Sequence, residues 1–161
     1  GGGLGIDYDQ PDKNSIADFK GYFSCFKKNL VQFPNQTLHF ELGRSIVAQC
    51  GSLIARVLYI KPAEKTSFMI LDAGMTELIR PALYHSLHFI QNLSSQKGSE
   101  VYDVVGPICE TSDAFARGLS LPKAKRGDLL AIRSTGAYGE AMASQYNLRE
   151  VAPCIFSDDI K

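Results

Sequence analysis

Six short stretches of this chain hold residues whose types and spacing could do chemistry. Gly106-Pro107-Ile108-Cys109-Glu110 sets a thiol beside a carboxylate after an apolar run. A thiol can give or take a proton, and a carboxylate can pair with a cation. In a strand the two side chains would point to opposite faces, whereas in a bulge or loop both could face one cavity. A lone cysteine is more often an inert buried residue than a catalyst, so the pattern alone leaves the choice open. Glu41-Leu42-Gly43-Arg44-Ser45 places a carboxylate, a glycine and an arginine at the end of an expected strand. In parallel α/β proteins ligands bind at that end, and a following helix N-terminus favours anions. A surface ion pair in a connecting loop fits those residues equally well.

Asp72-Ala73-Gly74-Met75 is followed by Arg80-Pro81-Ala82-Leu83-Tyr84. The arginine suits bidentate capture of a substrate carboxylate, although a solvated arginine–tyrosine pair is the plainer reading. Gly136-Ala137-Tyr138-Gly139 frames a tyrosine whose hydroxyl could bond a phosphate or simply pack. Gly1-Gly2-Gly3-Leu4-Gly5 could bring backbone amides up to a phosphate, because glycine lacks a Cβ and tolerates positive φ. A tag scar or flexible tail competes with that reading.

These residues need elements to hold them. Ile16, Phe19, Phe23, Phe26 and Leu30 recur at spacings of three and four, which predicts a helix from Pro11 to Leu30. Leu38, Phe40 and Leu42 alternate with polar residues, which predicts a strand, and Ser45 is expected to cap a short helix from Ile46 to about Cys50. From Gly51 the character changes. Short apolar, β-branched stretches at Leu53 to Ile60, Phe68 to Leu71, Leu87 to Ile90, Val101 to Val105, Leu129 to Ile132 and Ala152 to Phe156 are separated by turn signals. Arg126-Gly127-Asp128 is one of those turns. The first fifty residues therefore read as α/β and the remainder as an all-β barrel or sandwich.

The bulk numbers exclude several classes. Of 161 residues, 45% are hydrophobic and 21% charged, as in an ordinary globular protein. Seventeen basic and seventeen acidic residues give zero formal charge, which argues against a general nucleic-acid or membrane-surface binder. No apolar run approaches the roughly 18–20 residues that span a bilayer. The N-terminus shows no charged leader before a long apolar region, so a secretory signal is not expected. Cys25, Cys50, Cys109 and Cys154 form no C-x-x-C pair, and His39, His85 and His88 lack metal-ligand spacing, so neither a metal nor a disulfide framework is expected. Reduced thiols in the cytoplasm are the expectation.

Taken together and in their order along the chain, the six stretches resemble the diaminopimelate decarboxylases, within the alanine-racemase-like group of pyridoxal-phosphate decarboxylases. The resemblance covers nearly the whole chain. Arg-Pro-Ala-Leu-Tyr and the Cys-Glu pair favour this branch over ornithine-type enzymes. It implies the last units of a cofactor-binding (β/α)8 barrel over residues 1–50, then a Greek-key-like β-domain over 51–161. It also implies a fragment without the lysine that holds the cofactor, since none of the ten lysines sits in a recognisable motif for it. The expected reaction of the intact enzyme is decarboxylation of meso-2,6-diaminopimelate to L-lysine, with this piece alone inactive.

By resemblance, Gly1, Gly2 and Gly3 face the phosphate of pyridoxal phosphate, Gly2 most directly. Glu41 faces the pyridine nitrogen, and the backbone of Glu41, Leu42, Gly43 and Arg44 lines the phosphate side. Arg44, Arg80 and Tyr84 hold substrate, Glu110 pairs with its distal ammonium group, and Tyr138 touches both cofactor and substrate. Cys109 returns a proton to Cα, a general-acid step. The family builds each site from two subunits, so a homodimer is implied, with Cys109 and Glu110 crossing the interface. Leu42 stands where the family usually has proline, which would fix φ there. Two other functions compete: a non-catalytic relative that regulates a full-length decarboxylase, and a carboxynorspermidine-type decarboxylase. Retention of Cys109, Glu110, Arg80 and Tyr84 weighs against the first, and the Arg80 and Tyr84 motif against the second.

Overall fold

The computed structural model describes residues 3–160. Its centre is a six-stranded sheet in the order β3-β6-β1-β2-β4-β5, with strands β1 (Ser52–Lys61), β2 (Ser67–Leu71), β3 (Ile90–Asn92), β4 (Glu100–Val105), β5 (Ala114–Leu121) and β6 (Leu129–Arg133). Strand β1 shows why the sheet bends. Ala55 and Val57 point into the core while Ile54, Arg56 and Leu58 face out, the period of two that a strand imposes. Its first half pairs with β6 and its second half with β2, and the register slips between Val57 and Tyr59. Such a bulge turns the strand and tightens the twist.

All pairs are antiparallel except β2 with β4. A parallel pair needs a long crossover; here it runs through 72–99 and carries helix α3 (Arg80–Tyr84) and β3. The sheet curls until its two edges approach. Asn92 Nδ2 donates to the Pro122 carbonyl at 3.4 Å, and the Lys123 amide to the Lys97 carbonyl at 3.1 Å. The result is barrel-like, filled by Val57, Met69, Leu71, Tyr102, Val104, Phe115, Leu130 and Ile132. Tyr102 is fully buried, and its hydroxyl accepts from the Ala124 amide at 3.1 Å. Burial pushes that phenol up.

Several boundaries differ from the expectations. Helix α1 spans Phe19–Asn29 and does not begin at Pro11: the Asp18 side chain caps it by accepting from the Gly21 amide at 2.8 Å. Before it, Asp7 gathers the chain into a turn, accepting from the amides of Asp9 and Gln10 and from Asn14 Nδ2. Those bonds hold its carboxyl below the ordinary range. Ile16, counted in the expected stripe, is 77% exposed. Residues 38–42 form no strand, because no described strand lies beside them to complete a ladder; Phe40 instead packs edge-on against Tyr22, Phe23 and Phe26 of α1.

Ser45 caps nothing. It lies inside α2 (Arg44–Val47), whose cap position is Gly43, and a 3-10 turn Ala48–Cys50 follows. The strand expected at Leu87 to Ile90 begins at Ile90, because Leu87 sits out at 78% exposure. The one expected at Ala152 to Phe156 is absent, with Ile155 and Phe156 left in solvent. Strand β5 was not expected. Its Gly118 has φ +62° and donates to Asp103 Oδ1 at 2.7 Å, so an irregular strand reads as a turn signal in the sequence. Among the described residues no helix is long and apolar enough to cross a membrane.

Candidate functional site

Arg80 is the first residue of α3 and Tyr84 the last, so helical spacing of four puts them on one face. The Arg80 guanidinium carbon lies 5.6 Å from the centre of the Tyr84 ring. Two rings from elsewhere complete the surround: Tyr138 at 5.1 Å and Tyr8 at 5.9 Å. Each is within cation–π range. Among the described residues no carboxylate pairs with Arg80, and its Nε is buried without a partner. A guanidinium held between rings and left unpaired has N–H groups to offer an incoming anion.

Tyr138 reaches Arg80 because its loop is pinned from below. Gly136 donates its amide to the Ala48 carbonyl at 2.9 Å, and Thr135 donates to the Gly51 carbonyl at 3.0 Å. A Cβ on Gly136 would come within 2.1 Å of the Val47 carbonyl oxygen, so only glycine permits this approach. Tyr138 itself takes φ +67°, a left-handed conformation rare for a residue with a side chain. The contact joins the Glu41-to-Arg44 stretch, through α2 and its 3-10 turn, to the Tyr138 loop.

His88 lies beneath Tyr8, ring centres 4.9 Å apart. Its Nδ1 donates to the Arg133 carbonyl at 2.9 Å, since a carbonyl can only accept. Burial, and then the charge of Arg80, hold its pKa below the ordinary histidine value. His88 is thus a neutral support for Tyr8.

Cys109 and Glu110 occupy the loop after β4, and both are exposed. The organiser of that loop is Asp113, which is buried. Its carboxylate accepts from the Ile108 amide at 2.7 Å and from the Met75 amide at 2.6 Å. Burial raises its pKa, against the pull of those two amides. A Cβ on Gly106 would strike the same carboxylate at 2.3 Å. The Asp72-Ala73-Gly74-Met75 motif is therefore structural: Asp72 accepts from the Arg56 amide, and Glu77 closes the turn by accepting from Gly74 at 2.7 Å. Glu110 also accepts from Tyr146 Oη at 2.5 Å.

The structure thus brings Arg80, Tyr84 and Tyr138 into one group and Cys109 and Glu110 into another. Among the described residues no hydrogen bond, ion pair or ring contact joins the two groups. Sequence reading missed Tyr8, Asp113 and Tyr146. Asp113 left a faint signal, a carboxylate three residues past Glu110; Tyr8 and Tyr146 left none. Gly1 and Gly2 lie outside the described residues, and Gly3 is exposed. A cleft lined by Ser94, Lys97, Lys123, Lys125 and Asp128 holds none of the expected site residues.

The residues fit the expected phosphorylated ring. Gly43 has open space where a Cβ would stand, and of the amides that follow it those of Arg44 and Ser45 have no intrahelical acceptor, whereas those of Ile46 and Val47 bond the Gly43 carbonyl. Glu41 is an exposed carboxylate, and Tyr138 is 44% exposed. Backbone amides that can donate to a phosphate, a carboxylate that can accept from a ring N–H and a phenol at the rim are the groups such a cofactor requires.

Comparison with known proteins agrees. Residues 8–136 match the family model described as pyridoxal-dependent decarboxylase, C-terminal sheet domain. Diaminopimelate decarboxylase of Bacteroides thetaiotaomicron is 58% identical over 99% of this chain, which spans 42% of that protein. The chain covers 36% of a Helicobacter pylori diaminopimelate decarboxylase, at 45% identity over 92% of its own length. A crystal structure of the enzyme from Helicobacter pylori, complexed with L-lysine, superposes with a TM-score of 0.77 at 41% identity, covering 90% of this chain and 35% of that one. A lysine/ornithine decarboxylase from Vibrio vulnificus is more distant, at TM-score 0.63 and 26% identity over 68% of this chain and 30% of that one.

Proposed function

This chain belongs to the pyridoxal-dependent decarboxylases, and on that premise we propose that it is part of an enzyme converting meso-2,6-diaminopimelate to L-lysine in lysine biosynthesis. It spans less than half the length of the curated relatives it matches, 42% and 36% for the two described above, so the activity belongs to the longer protein. The observation that carries the reading is Arg80 among three tyrosine rings, with no carboxylate partner among the described residues. A planar guanidinium held this way suits the carboxylate that the substrate keeps through the reaction.

Pyridoxal phosphate supplies an electron sink when bound. Glu41 holds a proton on its pyridine nitrogen. Gly1, Gly2, Gly3 and the backbone of Glu41, Leu42, Gly43 and Arg44 take its phosphate, and Tyr138 touches both cofactor and substrate. Arg44, Arg80 and Tyr84 grip the retained carboxylate. Glu110 takes the distal ammonium group, and Cys109 Sγ returns a proton to Cα once carbon dioxide has left. Among the described residues of one copy, no hydrogen bond, ion pair or ring contact joins the Cys109 group to the Arg80 group. A homodimer in which Cys109 and Glu110 of each subunit complete the partner's site accounts for that separation.

Residues 1–50 are the last units of the (β/α)8 barrel in this reading, and 51–161 the β-domain. Support comes from α1, which has no buried residue, and from the exposure of Val31, Phe33 and Ile46. Apolar surface of that kind packs against further barrel. Four free, exposed cysteines suit a reducing cytoplasm.

The direct test is chemical. The full-length protein, purified and supplied with pyridoxal phosphate, should release carbon dioxide and L-lysine in equal amounts from meso-diaminopimelate. Faster turnover of ornithine or carboxynorspermidine would overturn the assignment.

A further inference from the structure

Tyr146 is absent from every expectation above, yet it bonds one of the central carboxylates. Its Oη donates to Glu110 Oε1 at 2.5 Å. A hydrogen bond between two exposed, mobile side chains would count for little, because each must be ordered to make it. Here the chain is fastened on both sides of Tyr146, by a backbone bond before it and a side-chain bond after it. The Ser144 amide donates to the Thr76 carbonyl at 2.9 Å, and Arg149 Nη2 donates to the Asp72 carbonyl at 2.6 Å. Between those anchors Asn147 and Leu148 both take φ +57°, a left-handed backbone that residues with side chains avoid. Such a turn persists only where its surroundings hold it.

The loop of Glu110 stands on the same base. Asp113 binds the Ile108 amide on one side and the Met75 amide on the other, and its own amide donates to the Glu110 carbonyl at 3.1 Å. Residues 72–76 therefore carry both arms, one ending in the phenol and the other in the carboxylate. The hydrogen bond to Glu110, followed by that group's charge, pushes the Tyr146 phenol up, so it remains a donor at neutral pH. The phenol occupies Oε1 and leaves Oε2 to receive a cation.

We infer that Tyr146 is a positioning residue that sets the direction of the Glu110 carboxylate and so selects substrates bearing a distal ammonium group. The inference rests on the diaminopimelate reading given above.

The test is Tyr146→Phe in the full-length holoenzyme, which removes one oxygen and keeps the ring. With meso-diaminopimelate, KM should rise roughly 10- to 100-fold, the worth of a hydrogen bond to a charged group, while kcat stays within about threefold. With 2-aminopimelate, which keeps the distal carboxylate but lacks the amine, wild type and variant should agree, read as KM or as Ki if it is not turned over. In a Glu110→Gln background the Tyr146 substitution should add nothing further with meso-diaminopimelate. An equal loss with both ligands, no loss with either, or additive losses in the double variant would overturn the inference. A wild-type holoenzyme that forms no L-lysine would instead refute the parent reading, and the distal-ammonium role of Glu110 would fall with it.

Discussion

Replacing Cys109 with alanine in the full-length holoenzyme is expected to lower kcat on meso-diaminopimelate by about 10²- to 10⁴-fold, the usual contribution of a positioned general acid. The thiol is exposed and its loop is held by Asp113, so the side chain carries none of the packing. Thermal stability should therefore be unchanged, and KM should move little, because the proton is delivered after carbon dioxide has gone. A loss confined to kcat marks an interaction made in the transition state and not in the bound ground state. Cys109→Ser keeps the size but raises the acid far above neutrality, so it should fall nearer to the alanine variant than to wild type. A Cys109→Ala enzyme retaining more than a tenth of wild-type kcat would remove the thiol from the chemistry.

Arg80→Lys is expected to raise KM for meso-diaminopimelate by roughly 10- to 150-fold, from the loss of about 1.5–3 kcal/mol of charge-assisted hydrogen bonding. The charge survives this change; the fork does not. The rings of Tyr8, Tyr84 and Tyr138 are spaced to hold a flat cation, and a tetrahedral ammonium would sit among them without presenting two parallel donors. Inhibition by the product L-lysine should weaken in step, because lysine keeps the same carboxylate. Cadaverine, which has no carboxylate, should bind both enzymes alike. Equal weakening of lysine and cadaverine would show that Arg80 shapes the pocket without gripping the carboxylate.

Much of this arrangement was legible in the residues before any coordinates. Strands β1, β2, β4 and β6 are recognisable because each is a short apolar, β-branched run set off by turn signals. Arg80 and Tyr84 are one helical turn apart, so their pairing is a local property. Where expectation failed, the deciding contact left no mark in the apolar pattern. The start of α1 was set by the cap at Asp18 in place of the apolar stripe, because the residues before it are drawn into the Asp7 turn. The alternation at residues 38–42 describes a strand in search of a ladder, and a ladder is a tertiary fact. Strand β5 hid behind Gly118, whose positive φ makes a kink inside a strand look like its end.

The site divides the same way. The residues found from sequence are those with glycines, prolines or a second functional group beside them. Tyr8 approaches Arg80 across seventy-two positions, and Tyr146 meets Glu110 across thirty-six. Tyr8 lies in a plain loop and Tyr146 opens a 3-10 turn, and neither position carries a sequence signature. Asp113 serves through two backbone amides, a role that leaves no pattern of its own. Packing of loops, and not chemistry along the chain, put all three in place.

In the proposed homodimer the Arg80 group of one copy meets the Cys109 group of the other, since no hydrogen bond, ion pair or ring contact among the described residues joins them within one copy. Subunit mixing tests that meeting. Full-length Cys109→Ala and Arg80→Lys enzymes, assayed below the KM of the Arg80 variant, are unfolded together and refolded at equal concentration. Half of the dimers should be hybrids, and one site in each should hold both wild-type groups, restoring about a quarter of wild-type activity. A mixture no more active than the average of its two parents would mean that Cys109 and Arg80 serve the same site from the same subunit, or serve no common site.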